Sequence, residues 1–542
     1  MRRFSTIIGV AVILSAWLVM SAGNAARSRA RSSIAKSEAA SSDQLGRVTF
    51  PTSCSPAVQV TIEKGVALLH SFQYQQAEQT FSGASKQDSG CAMAYWGKAM
   101  SRYHQLWDFP DAETLKQGRE DLDRARKISA TTDREREYIA AAAALCQDDS
   151  KLTHNDRRSA YSAAMMSLHA HYPNDTEASE FYALSLISVA MDGVDDLPNR
   201  RKAIAILDPI LRNEPNSPGA AHYLIHAADT PELAPQGLDA ARAYAKVAPD
   251  SSHALHMPSH IFVRLGLWQE TIDSNIAASA SAAKATEMHM SDAHYQTHAM
   301  DFLDYAYLQS GQEAKARKLV GEMKAVPGLS AEDTLDQQAI FEVRNAIELH
   351  QWKEAAALPV PAIKLAWQDT TYWARAIGKA RSGDAAGARK DTEKLAECVA
   401  AREADEKQKG YNVPASEGTD LREAKAWLAY AEGKSGEAIA LLRAAAERQE
   451  SEHMESLVIS AREMLADLLV ELKRPSDALP EYKAVLERAP NRFDALYGAA
   501  RAAQLAGNAS EAQKYFTRLV AISAPTTDRP ELQEARVHLA QK

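Results

Sequence analysis

From Pro56 onward, apolar and small residues recur at helical spacing, in segments that come in pairs separated by short breaks. The first pair reads VQVTIEKGVALLHSF, a break at Gln73-Tyr74, then QQAEQTFSGAS. A period near 3.6 residues predicts amphipathic helices, and the regular pairing predicts helical hairpins. The register is clearest near the C-terminus, where Ala478, Tyr482 and Val485 return as Ala512, Phe516 and Leu519, each 34 residues later, with turns at Lys473 and Gly507. Looser copies fall at Gly266/Trp268, Gly311/Ala316, Trp352/Ala355, Gly383/Ala388 and Gly433/Ala438, and Pro215, Pro249 and Pro490 close helices. Small residues let two antiparallel helices approach, while large ones fill the gap to the next pair. The fold class expected is all-α, a right-handed α-solenoid of about a dozen helix pairs.

Four stretches depart from the pattern. Residues 1–25 read as an export signal: Arg2 and Arg3, the apolar run Ile7 to Met20, then Ser21-Ala22-Gly23-Asn24-Ala25 as a cleavage region. Residues 26–50 are polar and rich in Ser and Ala, a flexible linker by composition. Residues 131–200 are helical by period but lack the small-residue signature, and 405–418 read as an exposed loop between a 51–404 array and a 419–542 array.

Composition agrees with helices, with only 24 Gly and 21 Pro in 542 residues. The formal charge of −9 becomes −11 without Arg2 and Arg3, and no basic stripe stands out, so nucleic acid is not an expected partner. No stretch after the export signal looks like a membrane span, and the chain is expected in the periplasm or secreted. With four cysteines, packing rather than disulfides must carry stability. Cys54 and Cys91 each precede a helix in consecutive repeats, where they either form a bridge or stay as two buried thiols.

The 34-residue period, with Gly65, Tyr74, Ala77 and Phe81 at its small and aromatic positions, resembles the tetratricopeptide-repeat superfamily over roughly residues 56–524. More narrowly, SCSPAVQ, CAMAYWGKAMSRYHQLW, HYLIHAADTPELAPQGLDAARAYAKVAP and HALHMPSHIFVRLGLWQETIDSN resemble a group of exported bacterial repeat proteins without an established activity. The resemblance implies a helical scaffold with a concave groove that takes a peptide or protein. In that register His222 and His226 take positions 5 and 9 of one repeat, and His253, His256 and His260 positions 2, 5 and 9 of the next. The following repeat has His298, Asp301 and Tyr305 at 2, 5 and 9. Such positions line the groove in the superfamily.

Two His-x-x-x-His pairs on neighbouring helices place four imidazoles on facing turns, the way a helix offers nitrogens to a metal ion. Pro258, between His256 and His260, is expected to kink that helix. One reading makes His222, His226, His256 and His260 the ligands of a zinc, copper or iron centre, with Asp301 and Tyr305 as acid-base or orienting groups of a hydrolase or oxidoreductase. Another keeps the histidines as metal-free lining of a peptide groove. His70 and His104, near Trp96, Tyr103 and Trp107, either extend the site or belong to the core, and the remaining histidines, His289 and His453 among them, are read as surface or packing residues. No phosphate loop, nucleophile elbow or Cys-x-x-Cys occurs.

Overall fold

The computed structural model describes residues 44–541 except 107–108, 130, 149–150, 191–195, 289–292, 410–417, 452–456, 526 and 528. The export segment, residues 26–43 of the expected linker, most of the expected 405–418 loop, Trp107, His289 and His453 therefore lie outside the described residues.

All regular structure among the described residues is helical, from Gln59–His70 to Pro530–Ala540. Each helix packs on its successor, and next-but-one helices also touch, which is the contact pattern of stacked hairpins forming a solenoid. The repeated small and large residues do the expected work. Phe81 fills the slot between Gly65 and Gly97, where an added Cβ would come within 2.5 and 2.3 Å of its ring. Tyr482 does the same against Gly498. Ala77, Phe81, Ala478, Tyr482, Val485, Ala512, Phe516 and Leu519 are all buried.

Several turns inside the pairs have a left-handed residue, glycine at Gly311, Gly383, Gly433 and Gly507. Phe72, His350 and Lys473 adopt positive φ at the corresponding turns, with Phe72 at 53°. A bulky side chain seldom accepts that conformation.

The array is not an open trough. The Arg47 amide donates to the Asn216 carbonyl at 2.8 Å, and Leu45 and Phe50 are buried, so the described end of the expected linker is packed structure. Helix Gln59–His70 also meets helix Pro218–Ala228, far along the chain. At the other end the chain folds back onto its middle. Gly266, at φ 65°, lies so near the Pro490 carbonyl that a Cβ would come within 1.9 Å of its oxygen. Asn491 Nδ2 donates to the Gly266 carbonyl at 3.0 Å, and Trp268 Nε1 donates to the Asn491 carbonyl at 2.8 Å. Cys54 and Cys91 are joined by a disulfide, while Cys146 and Cys398 are buried thiols.

The stretch 405–418 begins inside a helix, since Ala385–Gln408 runs past residue 405, and Gly418 caps helix Thr419–Ala431. No helix among the described residues is long and apolar enough to cross a membrane.

Candidate metal centre

Local sequence fixes the two helices that carry most of the histidines. Ser217 accepts a hydrogen bond from the Ala220 amide and Pro218 opens the first turn, so helix Pro218–Ala228 starts there and presents His222 and His226 on one face. Ser251 caps Ser252–His256 in the same way, through the Ala254 amide. Pro258 then opens a new helix, Pro258–Leu265, that ends at Gly266. The expected kink is therefore a break between Met257 and Pro258. It does not separate the pair: His256 Nε2 and His260 Nε2 stand 3.1 Å apart.

Six imidazoles converge as two triads, within each of which ligand atoms lie within 4.8 Å of one another. One triad is His222, His226 and His253; the other is His256, His260 and His298, from helix His294–Gln309. The sequence pattern groups His222, His226, His256 and His260 as the metal ligands. The structure instead divides those four between two sets and completes each with a residue at repeat position 2.

Nor do the histidines line an open groove. His222, His253 and His256 are 0–4% exposed, His226 and His260 are half-buried, and His298 is the exposed member of the six. Phe72 closes the first triad, its ring centroid 4.4 Å from that of His222 and 5.6 Å from those of His226 and His253. Tyr295 Oη donates to the Phe72 carbonyl at 3.1 Å and helps hold the turn in place.

The surrounding hydrogen bonds set the tautomers. His222 Nδ1 donates to the His70 carbonyl at 2.5 Å. Asn275 Nδ2 donates to the Thr271 carbonyl at 2.9 Å, which turns its Oδ1 toward His256 Nδ1 at 2.7 Å, and that nitrogen donates. His260 Nδ1 donates to Asp229 Oδ2 at 3.1 Å, and Arg264 Nε donates to Asp229 Oδ1 at 2.9 Å. The Nδ1 proton on each of these three rings leaves Nε2 as a lone pair in the neutral form. Two of those Nε2 atoms meet face to face, His256 with His260 at 3.1 Å, and the Nε2 of His222 faces that of His253 at 3.0 Å.

Charge reinforces this state. Burial, then the neighbouring imidazoles, pushes His222, His226, His253 and His256 well below the ordinary histidine pKa, and His298 down to about 4. Burial alone would raise Asp229, but Arg264 and His260 hold it well below the usual carboxylate range. Near pH 7 these five imidazoles are therefore neutral. Two lone pairs at such a distance repel unless a proton or a cation lies between them. A single proton serves two nitrogens, whereas three converge in each triad. His256 and His260 in one triad, and His222 in the other, have Nδ1 tied to an amide oxygen, a carboxylate and a carbonyl, which is the outer support that ligands of a transition-metal site receive.

Asp301 and Tyr305 are elsewhere engaged. Arg344 Nη2 donates to Asp301 Oδ1 at 2.5 Å. Tyr305 is buried against Trp268, its hydroxyl accepts from Arg492 Nη1 at 2.9 Å, and burial raises its pKa to about 12. Tyr305 thus belongs to the contact between the middle and the C-terminal part of the chain, not to the histidine cluster. His70 turns its ring away, with Nε2 2.6 Å from Glu177 Oε2 and 3.4 Å from Glu180 Oε2, and contributes only its carbonyl. His104 stacks on Tyr74 at 4.1 Å. The sequence pattern does not single out Asp229, Asn275 or Phe72. Asp229 had a signal, since it lies seven residues after His222 and three after His226, on the same helical face.

A tetratricopeptide-repeat family model matches residues 463–526. The match covers C-terminal helices, and the described helices before it pack in the same hairpin pattern. No curated protein matches this repeat chain significantly. Among solved structures it is similar to a human IFIT1 dimer with PPP-AAAA, at 13% identity, 84% of this chain, 89% of that chain and a TM-score of 0.33. A monomeric IFIT1 mutant with Gppp-AAAA is similar at 13% identity, 84% and 95% coverage and a TM-score of 0.35. At such scores neither says anything about what this chain binds.

Proposed function

We propose that this repeat scaffold carries a transition-metal centre on its two histidine triads and acts through it as a metal-dependent enzyme. The observation that carries the reading is the face-to-face placement of His256 Nε2 and His260 Nε2, each with its Nδ1 committed to an acceptor. Three imidazoles leave an ion with at least one open position. Zinc there would lower the pKa of a bound water toward 7 and supply a hydroxide for hydrolysis, whereas copper or iron would supply electron transfer to a bound substrate. His298, at the solvent edge, marks the side from which substrate would approach.

A peptide or protein partner on the remaining concave surface is part of the same proposal, supported by the general use of such repeat arrays. Export to the periplasm or beyond is also proposed. The Cys54–Cys91 disulfide supports an oxidising compartment.

The test is metal analysis of protein purified without an affinity tag, beside a variant with His222, His226, His256 and His260 all changed to Ala. Zinc, copper or iron bound in stoichiometric amount by the wild type and absent from the variant is the expected result. A wild type without metal after exposure to all three would refute the centre, and partner binding that ignores metal would leave only the scaffold.

A further inference from the structure

We propose that the two triads are one dinuclear centre: each holds its own divalent ion, and the two ions share a small anionic ligand between them. This rests on the metal-centre reading above and goes further by fixing the number of ions and the class of ligand they take.

The first argument is continuity. Within the first triad ring centroids lie 4.7, 4.8 and 6.3 Å apart, and within the second 4.4, 5.0 and 6.1 Å. Across the divide His226 and His260 are 6.4 Å apart, as are His253 and His256. The gap between the triads is thus barely wider than the widest spacing inside one. The second argument is capacity. Six nitrogens are more than one ion takes in a tetrahedral site, and at Zn–N lengths of about 2.0–2.1 Å one ion cannot reach both sets. Each triad instead supplies three ligands and leaves one position open, and neighbouring ions about 3.5–4 Å apart suit a shared ligand.

The third argument is charge. All six ligands are neutral when they bind, and among the described residues no carboxylate joins either triad. Asp229 is held by Arg264 and His260 on the far side of the ring. Two divalent ions would bring four positive charges into a half-buried site beside two carboxylates, Asp229 and Asp301, that are already paired with Arg264 and Arg344. An unpaired charge of that kind is costly in low dielectric. The compensation that the protein does not supply must come from an exogenous anion, hydroxide at rest, and the shared position is where a small anionic or oxygen-donor substrate would bind.

Copper serves as probe. Tag-free apoprotein is loaded with Cu(II), desalted against a weak competitor, and examined by metal analysis, electron paramagnetic resonance and azide titration. The expected result is two coppers per chain, a spin signal integrating to a small fraction of the bound copper because a shared ligand couples the two ions, and one azide per copper pair. His253→Ala and His298→Ala, one from each triad, should each keep one copper with full signal intensity. Circular dichroism melts of these variants separate loss of an ion from loss of fold. One copper in the wild type, or two with full and independent signals, would overturn the pair while leaving the metal-centre reading in place. No copper at all would overturn both.

Discussion

Asp229 shows how one side chain sets the character of the site without touching the position an ion would take. Its two oxygens divide between Arg264 and His260, so it stays ionised, orients the His260 ring and makes Nε2 the available nitrogen. Asp229→Asn keeps the shape but removes the charge that holds Arg264 and raises the basicity of His260. Metal affinity, measured by chelator competition at pH 7, is expected to fall about 10–100-fold. Unchanged affinity would show that the carboxylate only positions Arg264. At this scale the sequence was informative about residue type and face, because the 34-residue offset between the His-x-x-x-His pairs survives in the structure as neighbouring triads. It could not show which nitrogen each ring would present. That depends on Asn275, the His70 carbonyl and Asp229, which come from three different helices or their ends.

At the scale of helices, the turn after Gln59–His70 carries more than a repeat turn needs to. At four of the turns glycine takes the left-handed position, yet here Phe72 takes it and lays its ring on His222, His226 and His253. The same helix is fixed at its far end, where Cys54, just before it, is tied to Cys91 at the start of helix Ala92–Arg102. The bridge closes a loop of 37 residues and restricts the unfolded chain. Its reduction is expected to cost about 2–4 kcal/mol and to lower the melting temperature of the whole protein. Calorimetry with and without reductant checks this, and identical melts would mean that packing alone holds the N-terminal hairpins. The period had announced hairpins and their turns, and Gly65 and Phe81 pack as the pattern implies. The role of Phe72 was hidden because its partners lie more than a hundred residues away in sequence.

For the molecule as a whole, the solenoid's path decides what kind of site the histidines make. An open array would expose them along a groove. Here helix Gln59–His70 crosses onto Pro218–Ala228, and the C-terminal repeats dock on the middle of the chain through a buried arginine. Arg492 reaches Glu348 at 2.9 Å, Tyr305 and Glu463, and the Phe493 amide donates to Gln309 Oε1 at 2.9 Å. These contacts turn a row of groove positions into an enclosed cluster with one edge at solvent. A 34-residue period fixes neighbours along the array, but closure depends on small rotations summed over many repeats, so it was not legible in the sequence. The most direct test of the central claim is the metal K-edge X-ray absorption spectrum of the tag-free protein. A nitrogen shell at about 2.0–2.1 Å with the outer-shell scattering of several imidazoles is the predicted result. An oxygen shell without imidazole scattering, or a spectrum unchanged in the four-histidine Ala variant, would contradict it.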